Sequence, residues 1–180
     1  MSIQIIQADT THAEAIARIG AAAFTHSFRC LFYSKKELSE YLRYTYNAEK
    51  IRASLHKSRN VYFVALLNDE PIGFAKVKRD SLHESLVTGS QMELQKIYVL
   101  PEYQGLGAGR TLMKTVRQFA SLVQPDYLWL DAHVANSRAL RFYEKAGFVK
   151  GGKHFFRIGA QVFAYFMMCL PVKQKETCLS

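Results

Sequence analysis

The segment from Leu94 to Met113 constrains this chain more than any other. It reads as a strand, a stop, a glycine-rich loop and a helix. Leu94 to Leu100 is apolar and aromatic enough for a buried strand, and Pro101 ends it. Gln104 to Gly109 then places glycine at 105, 107 and 109. From Arg110 the pattern turns helical, with Leu112, Val116 and Phe119 on one face. Glycines at the mouth of a helix expose backbone N–H groups at the positive end of its dipole, so the segment predicts an anion site. The anion that suits it is the pyrophosphate of a nucleotide cofactor.

Spacing decides which cofactor. A dinucleotide fingerprint, G-x-G-x-x-G, would need glycine where Arg110 stands. A Walker loop would need glycine at Gln104 and lysine at Arg110. Both patterns fail. The segment fits Q/R-x-x-G-x-G/A, written Gln104-Gly-Leu-Gly-Ala-Gly109. It resembles the coenzyme A loop of the GNAT N-acetyltransferase superfamily. That resemblance implies acetyl-CoA as acyl donor, bound by Ile97, Tyr98 and Val99 on the strand. Gln104, Gly105, Leu106, Gly107, Ala108, Gly109 and Arg110 would hold it from the loop and helix.

The rest of the chain follows the family order. Ile3 to Ile6 reads as a first strand. Thr11-His-Ala-Glu14 and Ser34-Lys-Lys-Glu37 read as capping boxes opening two helices, and Asn47 as the cap of a third. Val61 to Leu67 and Ile72 to Lys78 are strands joined by a turn at Asn68-Asp-Glu-Pro71. Arg79 to Ser90 is polar and reads as a mobile loop. After the glycine loop and its helix come a strand over Tyr127 to Val134 and a helix from Asn136 to Ala146, stopped by Gly147. Strands over Phe148 to Phe156 and Val162 to Leu170 close the order. The resemblance implies an α/β (α+β) GNAT fold. Its mixed, twisted sheet would have two central parallel strands, near Lys96 to Leu100 and Leu128 to Val134, that splay apart to admit the pantetheine arm. Residues 1–172 are expected to form one domain and 173–180 a short polar tail.

Asn136-Ser-Arg-Ala-Leu-Arg-Phe-Tyr143-Glu-Lys-Ala-Gly-Phe148 carries a second likeness, to N-x-x-A-x-x-F/L-Y-x-x-x-G-F. Asn136 and Tyr143 stand two helical turns apart and share a face. The resemblance implies that Asn136 contacts the coenzyme A arm and that the Tyr143 hydroxyl lies near the thioester sulfur. Read as residues alone, Asn136 is a helix cap and Tyr143 a core aromatic beside Phe142.

The chemistry implied is direct transfer to a primary amine. The amine must lose a proton, the carbonyl oxygen needs an N–H donor such as the strand near Ile97 to Val99, and the leaving thiolate needs an acid. Tyr143 is the expected acid. Glu93 is the expected base, placed by strand parity on the same side as Ile97 and Val99. Asp131 is the rival base, and His133 and His154 are further candidates. No cysteine lies in either motif, and no metal is expected.

Bulk properties narrow the alternatives. The net charge is +9, but the basic residues are scattered, so neither nucleic acid nor a membrane surface is expected as partner. No apolar run is long enough to span a bilayer and no signal pattern opens the chain, so a cytoplasmic location is expected. Cys30, Cys169 and Cys178 are odd in number and lack C-x-x-C spacing, which reads as free thiols.

Within the superfamily the sequence is most similar to PaiA-type acetyltransferases, associated with polyamines. The likeness rests on Ala23-Phe-Thr-His-Ser-Phe28, Met92-Glu-Leu-Gln-Lys-Ile-Tyr-Val99 and Gly152-Lys-His-Phe-Phe-Arg-Ile-Gly159. One departure stands out. That group follows the last glycine with several acids, whereas Ala160-Gln-Val-Phe-Ala-Tyr-Phe166 has none. The acceptor is therefore left as a small polyamine-like amine or a peptide amine. The alternative is a non-catalytic acyl-CoA-binding regulatory module. The resemblance also allows a homodimer.

Overall fold

The computed structural model describes residues 2–87 and 89–173. Twelve elements follow in the order β1 (Ile3–Gln7), α1 (Ala13–Phe28), α2 (Lys35–Thr45), α3 (Ala48–Leu55), β2 (Asn60–Leu67), β3 (Glu70–Arg79), β4 (Gln91–Val99), α4 (Ala108–Val123), β5 (Tyr127–His133), α5 (Ser137–Lys145), β6 (Val149–Ile158) and β7 (Gln161–Pro171). Short 3-10 turns stand before α1, after α1 and before the glycine loop.

The seven strands form one sheet in the order β1-β2-β3-β4-β5-β7-β6. Its two halves meet at the single parallel pair, β4 with β5. That pairing covers only Gln91–Glu93 against Tyr127–Trp129. Beyond Glu93 the strands part: β4 stays with β3, while β5 stays with β7 as far as His133. The resulting gap is the splay implied by the sequence.

Each face of the sheet is buried differently. On one side α4 packs with Leu112, Met113, Val116 and Ala120, each at most 3% exposed, against Val77, Leu94, Leu128 and Leu130. Each large apolar side chain so buried contributes roughly 1.5–3 kcal/mol. On the other side α1 and α3 bring Ile16, Ile19 and Ile51 onto Tyr62, Val64, Phe74 and Leu100.

Local signals account for most boundaries. Asn68 and Asp69 both have positive φ, 50° and 64°, as a two-residue hairpin turn with right-handed strands requires. Asn47 Oδ1 accepts the Lys50 N–H at 3.1 Å and caps α3. Two capping boxes differ from expectation. The first belongs to Asp9, which accepts from Thr11 while His12 reaches back to the Asp9 N–H, because a 3-10 turn precedes α1. In the second, Ser34 accepts from the Glu37 N–H, but the Glu37 carboxylate accepts from Ala160 N–H instead of returning to Ser34. It thereby ties α2 to the tight β6–β7 turn, where Gly159 has φ 57°. That turn is shorter than the Arg157–Gln161 span expected.

The described residues of the segment before β4 form a loop, as expected, and several of them are tied to the sheet. Trp129 Nε1 donates to Ser81 O at 2.7 Å, and the Ser81 hydroxyl donates to Glu93 Oε2 at 2.8 Å. Gln91 accepts from the His83 N–H and donates to Leu86 O. Polar composition indicates the loop, and its hydrogen bonds to buried groups of the sheet depend on pairing that composition does not show. Residues 174–180 of the expected tail, Cys178 included, lie outside the described residues.

Candidate active site

The splay opens into a cleft of about 1960 Å³ that passes through the sheet. One half lies on the α4 side. There Gly105 and Gly107 adopt φ of 89° and 94°, and a side chain added at either would meet open space. Such left-handed turns turn successive N–H groups toward a common point. The helix begins at Ala108, two residues earlier than expected, because Gly107 itself serves as N-cap. The Thr111 N–H makes the first helical bond, to Gly107 O at 3.0 Å, which leaves the N–H groups of Ala108, Gly109 and Arg110 for an anion. Arg138 Nη1 donates to Gln104 Oε1 at 2.5 Å, so α5 holds the loop and adds a positive charge beside it. Arg138 had no distinguishing signal in the sequence beyond its place in the second motif. Lys114 and Arg117 line the same half.

These groups fit a coenzyme A pyrophosphate: left-handed glycines, unbonded first-turn N–H groups and nearby cations. Ile97, Val99, Gln104, Gly105, Gly107, Ala108, Gly109, Arg110, Asn136 and Tyr143 all line the cleft. Leu106 does not; its side chain is 58% exposed at the tip of the loop.

The other half lies on the α1 side, and the register of β4 decides what faces it. Lys76 pairs with Lys96, but Val77 pairs with Leu94, so Gln95 is an extra, bulged residue. A bulge reverses parity along a strand. Glu93 therefore shares its face with Lys96 and Tyr98, not with Ile97 and Val99 as strict alternation predicts. Ile97 and Val99 point to the α4 side; Tyr98 packs against Tyr46 and Phe74 on the α1 side. Only the backbone of Tyr98 is thus offered toward a cofactor.

On β5 the same face carries Trp129, Asp131 and His133. Asp131 Oδ1 lies 2.6 Å from Nε2 of His154, on β6. Burial raises the Asp131 carboxyl above its ordinary value, and the His154 contact partly offsets this. His83 completes a cluster with Asp131 and His154 whose donor atoms lie within 4.8 Å of one another. His133 is occupied structurally: its Nδ1 accepts the Ala135 N–H at 3.1 Å, its ring packs on Phe28, Phe163 and Tyr165, and burial lowers its pKa.

Tyr143 reaches the splay from α5, with its ring against Phe142 and Phe148. Burial pushes its phenol well above the ordinary value, so it keeps its proton across the physiological range. Among the described residues its hydroxyl has no hydrogen-bond partner. Asn136 Oδ1 accepts the Ala139 N–H at 3.1 Å and caps α5 while lining the cleft. Asn136 thus caps the helix from a place on the cleft wall.

The sheet is thus split at one parallel pair, with glycine-loop N–H groups on one face of the cleft and two carboxylates on the other. The profile of the acetyltransferase (GNAT) family matches residues 22–148, and the chain belongs to that family. An uncharacterized N-acetyltransferase of Mycobacterium tuberculosis is 44% identical over 69 residues, 38% of this chain and 44% of that protein. The chain thus matches less than half the length of that relative. A spermidine N(1)-acetyltransferase of Thermoplasma acidophilum is 23% identical over 152 residues, 82% of this chain and 89% of that protein. The crystal structure of a PaiA N-acetyltransferase from Thermoplasma acidophilum in complex with coenzyme A superposes with a TM-score of 0.77 at 22% identity, covering 95% of this chain and 99% of that one. The PaiA likeness and the GNAT fold expected from the motifs are met. No helix of the described residues is long and apolar enough to cross a membrane.

Proposed function

We propose that the chain transfers the acetyl group of acetyl-CoA directly to a primary amine. The observation that carries this reading is the splay itself, which joins the cradle at Gly105 to Arg110 with Glu93 and Asp131 on the opposite face. Bound acetyl-CoA supplies the activated acyl carbon. The chain supplies everything else. The loop and first turn of α4 fix the pyrophosphate, and the edge of β4 freed beyond Glu93 offers backbone N–H groups toward a developing oxyanion. Glu93 and Asp131 line the acceptor side and take the proton of the attacking amine, passing it to water. The Tyr143 hydroxyl, held protonated, donates its hydrogen bond to the leaving sulfur.

The family membership supports an acetyltransferase, and the spermidine relative supports an amine acceptor. The acceptor reads as a small-molecule amine or a peptide amine, with acetyl-CoA as donor and no metal. The test is release of free thiol from acetyl-CoA by purified protein with a panel of primary amines. Turnover that needs an amine and is lost in Gly107→Asp supports the reading. Binding of acetyl-CoA without turnover on any amine would sink it.

A further inference from the structure

The acceptor half of the cleft carries a charge pattern that amine acetylation does not require. Lys76 on β3 stands directly opposite Lys96 on β4. Residues paired this way in an antiparallel ladder hold their Cβ atoms about 4.5–5.5 Å apart, and like charges there repel. Both side chains are half-buried. Among the described residues neither ammonium has a carboxylate partner at salt-bridge distance. They rest on aromatic faces instead, Lys76 Nζ 5.4 Å from the Tyr62 ring centroid and Lys96 Nζ 5.2 Å from that of Tyr46.

The surroundings reinforce the pattern. Lys50, Lys57, Arg59 and Lys78 line the same wall, between α3 and the strands β2 to β4. Among the described residues that line the cleft, the only carboxylates are Glu93 and Asp131. These cations lie across the sheet from the glycine loop, where Lys114, Arg117 and Arg138 attend the donor. Desolvation, with mutual repulsion at Lys76, depresses both paired lysines to about 8, which still leaves them mostly protonated at neutral pH. Glu93 attracts both ammonium groups at longer range, yet six cations share this wall with it, an excess that an anion seated between Lys76 and Lys96 would offset.

We propose that the acceptor is a small amine whose far end carries a carboxylate or phosphate, seated on Lys76 and Lys96 while its amine lies at Glu93 and Asp131. This rests on the transfer reading above. Spacing sets the length. Lys78 pairs with Glu93, and Lys76 and Lys78 are two residues apart on β3, roughly 7 Å. An ω-amino acid or aminoalkyl phosphate of a few carbons spans that distance. A polyamine would instead bring a second cation against the lysine pair.

The experiment compares 4-aminobutyrate, 2-aminoethyl phosphate, n-butylamine and spermidine as acceptors for full-length protein saturated with acetyl-CoA. The anionic amines are expected to show kcat/KM at least tenfold above the other two. Lys76→Met and Lys96→Met should collapse that preference toward unity, mainly through KM, and Lys96→Arg should retain it. An unchanged coenzyme A affinity in each variant verifies that it is folded. Equal use of all four amines, or preference for butylamine or spermidine, overturns the inference while leaving the transfer reading intact. Turnover confined to acidic peptides overturns it also. If no amine turns over, the transfer reading fails, and calorimetry of the coenzyme A complex with 2-aminoethyl phosphate decides the site. Binding lost in Lys76→Met upholds the anion site; no binding by the wild type overturns it.

Discussion

His154 Nε2 lies 2.6 Å from Asp131 Oδ1, a contact that spans β7 to join β6 and β5. It gives Asp131 two opposed influences. Burial raises its pKa and the histidine pulls it down. A carboxylate whose pKa burial raises is a stronger base than an exposed one. Asp131→Asn is expected to lower kcat by about 10²–10⁴-fold and to remove the acid limb of the kcat–pH profile. His154→Ala should leave the limb but move it to higher pH, since the influence that lowers the Asp131 pKa is gone. Glu93→Gln, measured beside them, apportions the proton between the two carboxylates: a deeper loss than in Asp131→Asn would make Glu93 the principal base.

Among the described residues the Tyr143 hydroxyl has no hydrogen-bond partner, and burial keeps its phenol protonated. Its hydrogen bond is therefore available to a developing thiolate and to little else. Tyr143→Phe is expected to lower kcat by about 10²-fold or more while changing coenzyme A affinity less than threefold. A kinetic and calorimetric comparison checks this. An equal loss in affinity and kcat would make Tyr143 part of the binding wall alone.

Gly107 separates conformational from steric demand. A Cβ there meets nothing within 4 Å, yet its φ of 94° is one that L side chains rarely adopt. Gly107→Ala should therefore cost about 1–2 kcal/mol locally through backbone strain, not through collision. If the loop relaxes, its N–H groups turn from the anion, and coenzyme A affinity should fall about tenfold or more. Titration calorimetry measures it; an Ala variant with wild-type affinity would show that the cradle tolerates another φ.

What could be read from residue order was the part of the molecule governed by local rules. Pro101, the alternating glycines and the amphipathic run to Phe119 specify strand, loop and helix without reference to anything distant. The Asn136 to Phe148 motif likewise specifies its own helix and stop. What could not be read depended on pairing. Gln95 looks like any strand residue, and only the partner strand reveals it as the bulge that turns Glu93 toward the acceptor side. The Asp131–His154 contact joins residues 23 apart across an intervening strand, and no spacing encodes it. The opposition of Lys76 and Lys96 is invisible for the same reason. Thr11 with Glu14 matches the capping-box pattern in sequence, and only the 3-10 turn reveals Asp9 with His12 as the actual box.

The lysine pair also makes a prediction about stability. In the unfolded chain each lysine titrates near 10.5, whereas in the fold each is depressed to about 8, chiefly by desolvation. Between these values the unfolded state holds more protons than the folded one, so stability rises with pH from about 8 to about 10.5. Below pH 8 both groups are charged in both states, and the full cost of burying them is present. Lys96→Met keeps most of the aliphatic stem and removes the charge, and it relieves Lys76 of its neighbour. At pH 7 the variant is therefore expected to be more stable than the wild type by on the order of 1–2 kcal/mol, a Tm rise of roughly 2–8 °C for a chain of this size. The advantage should shrink as pH approaches 10.5. Thermal melts of wild type, Lys76→Met and Lys96→Met across pH 7 to 10.5 read the effect directly, alongside their activity on anionic amines. A gain in stability joined to a loss of that activity is the pattern of a binding site held at the expense of the fold. A Lys96→Met variant no more stable than wild type at pH 7 would mean that the pair is already compensated within the protein.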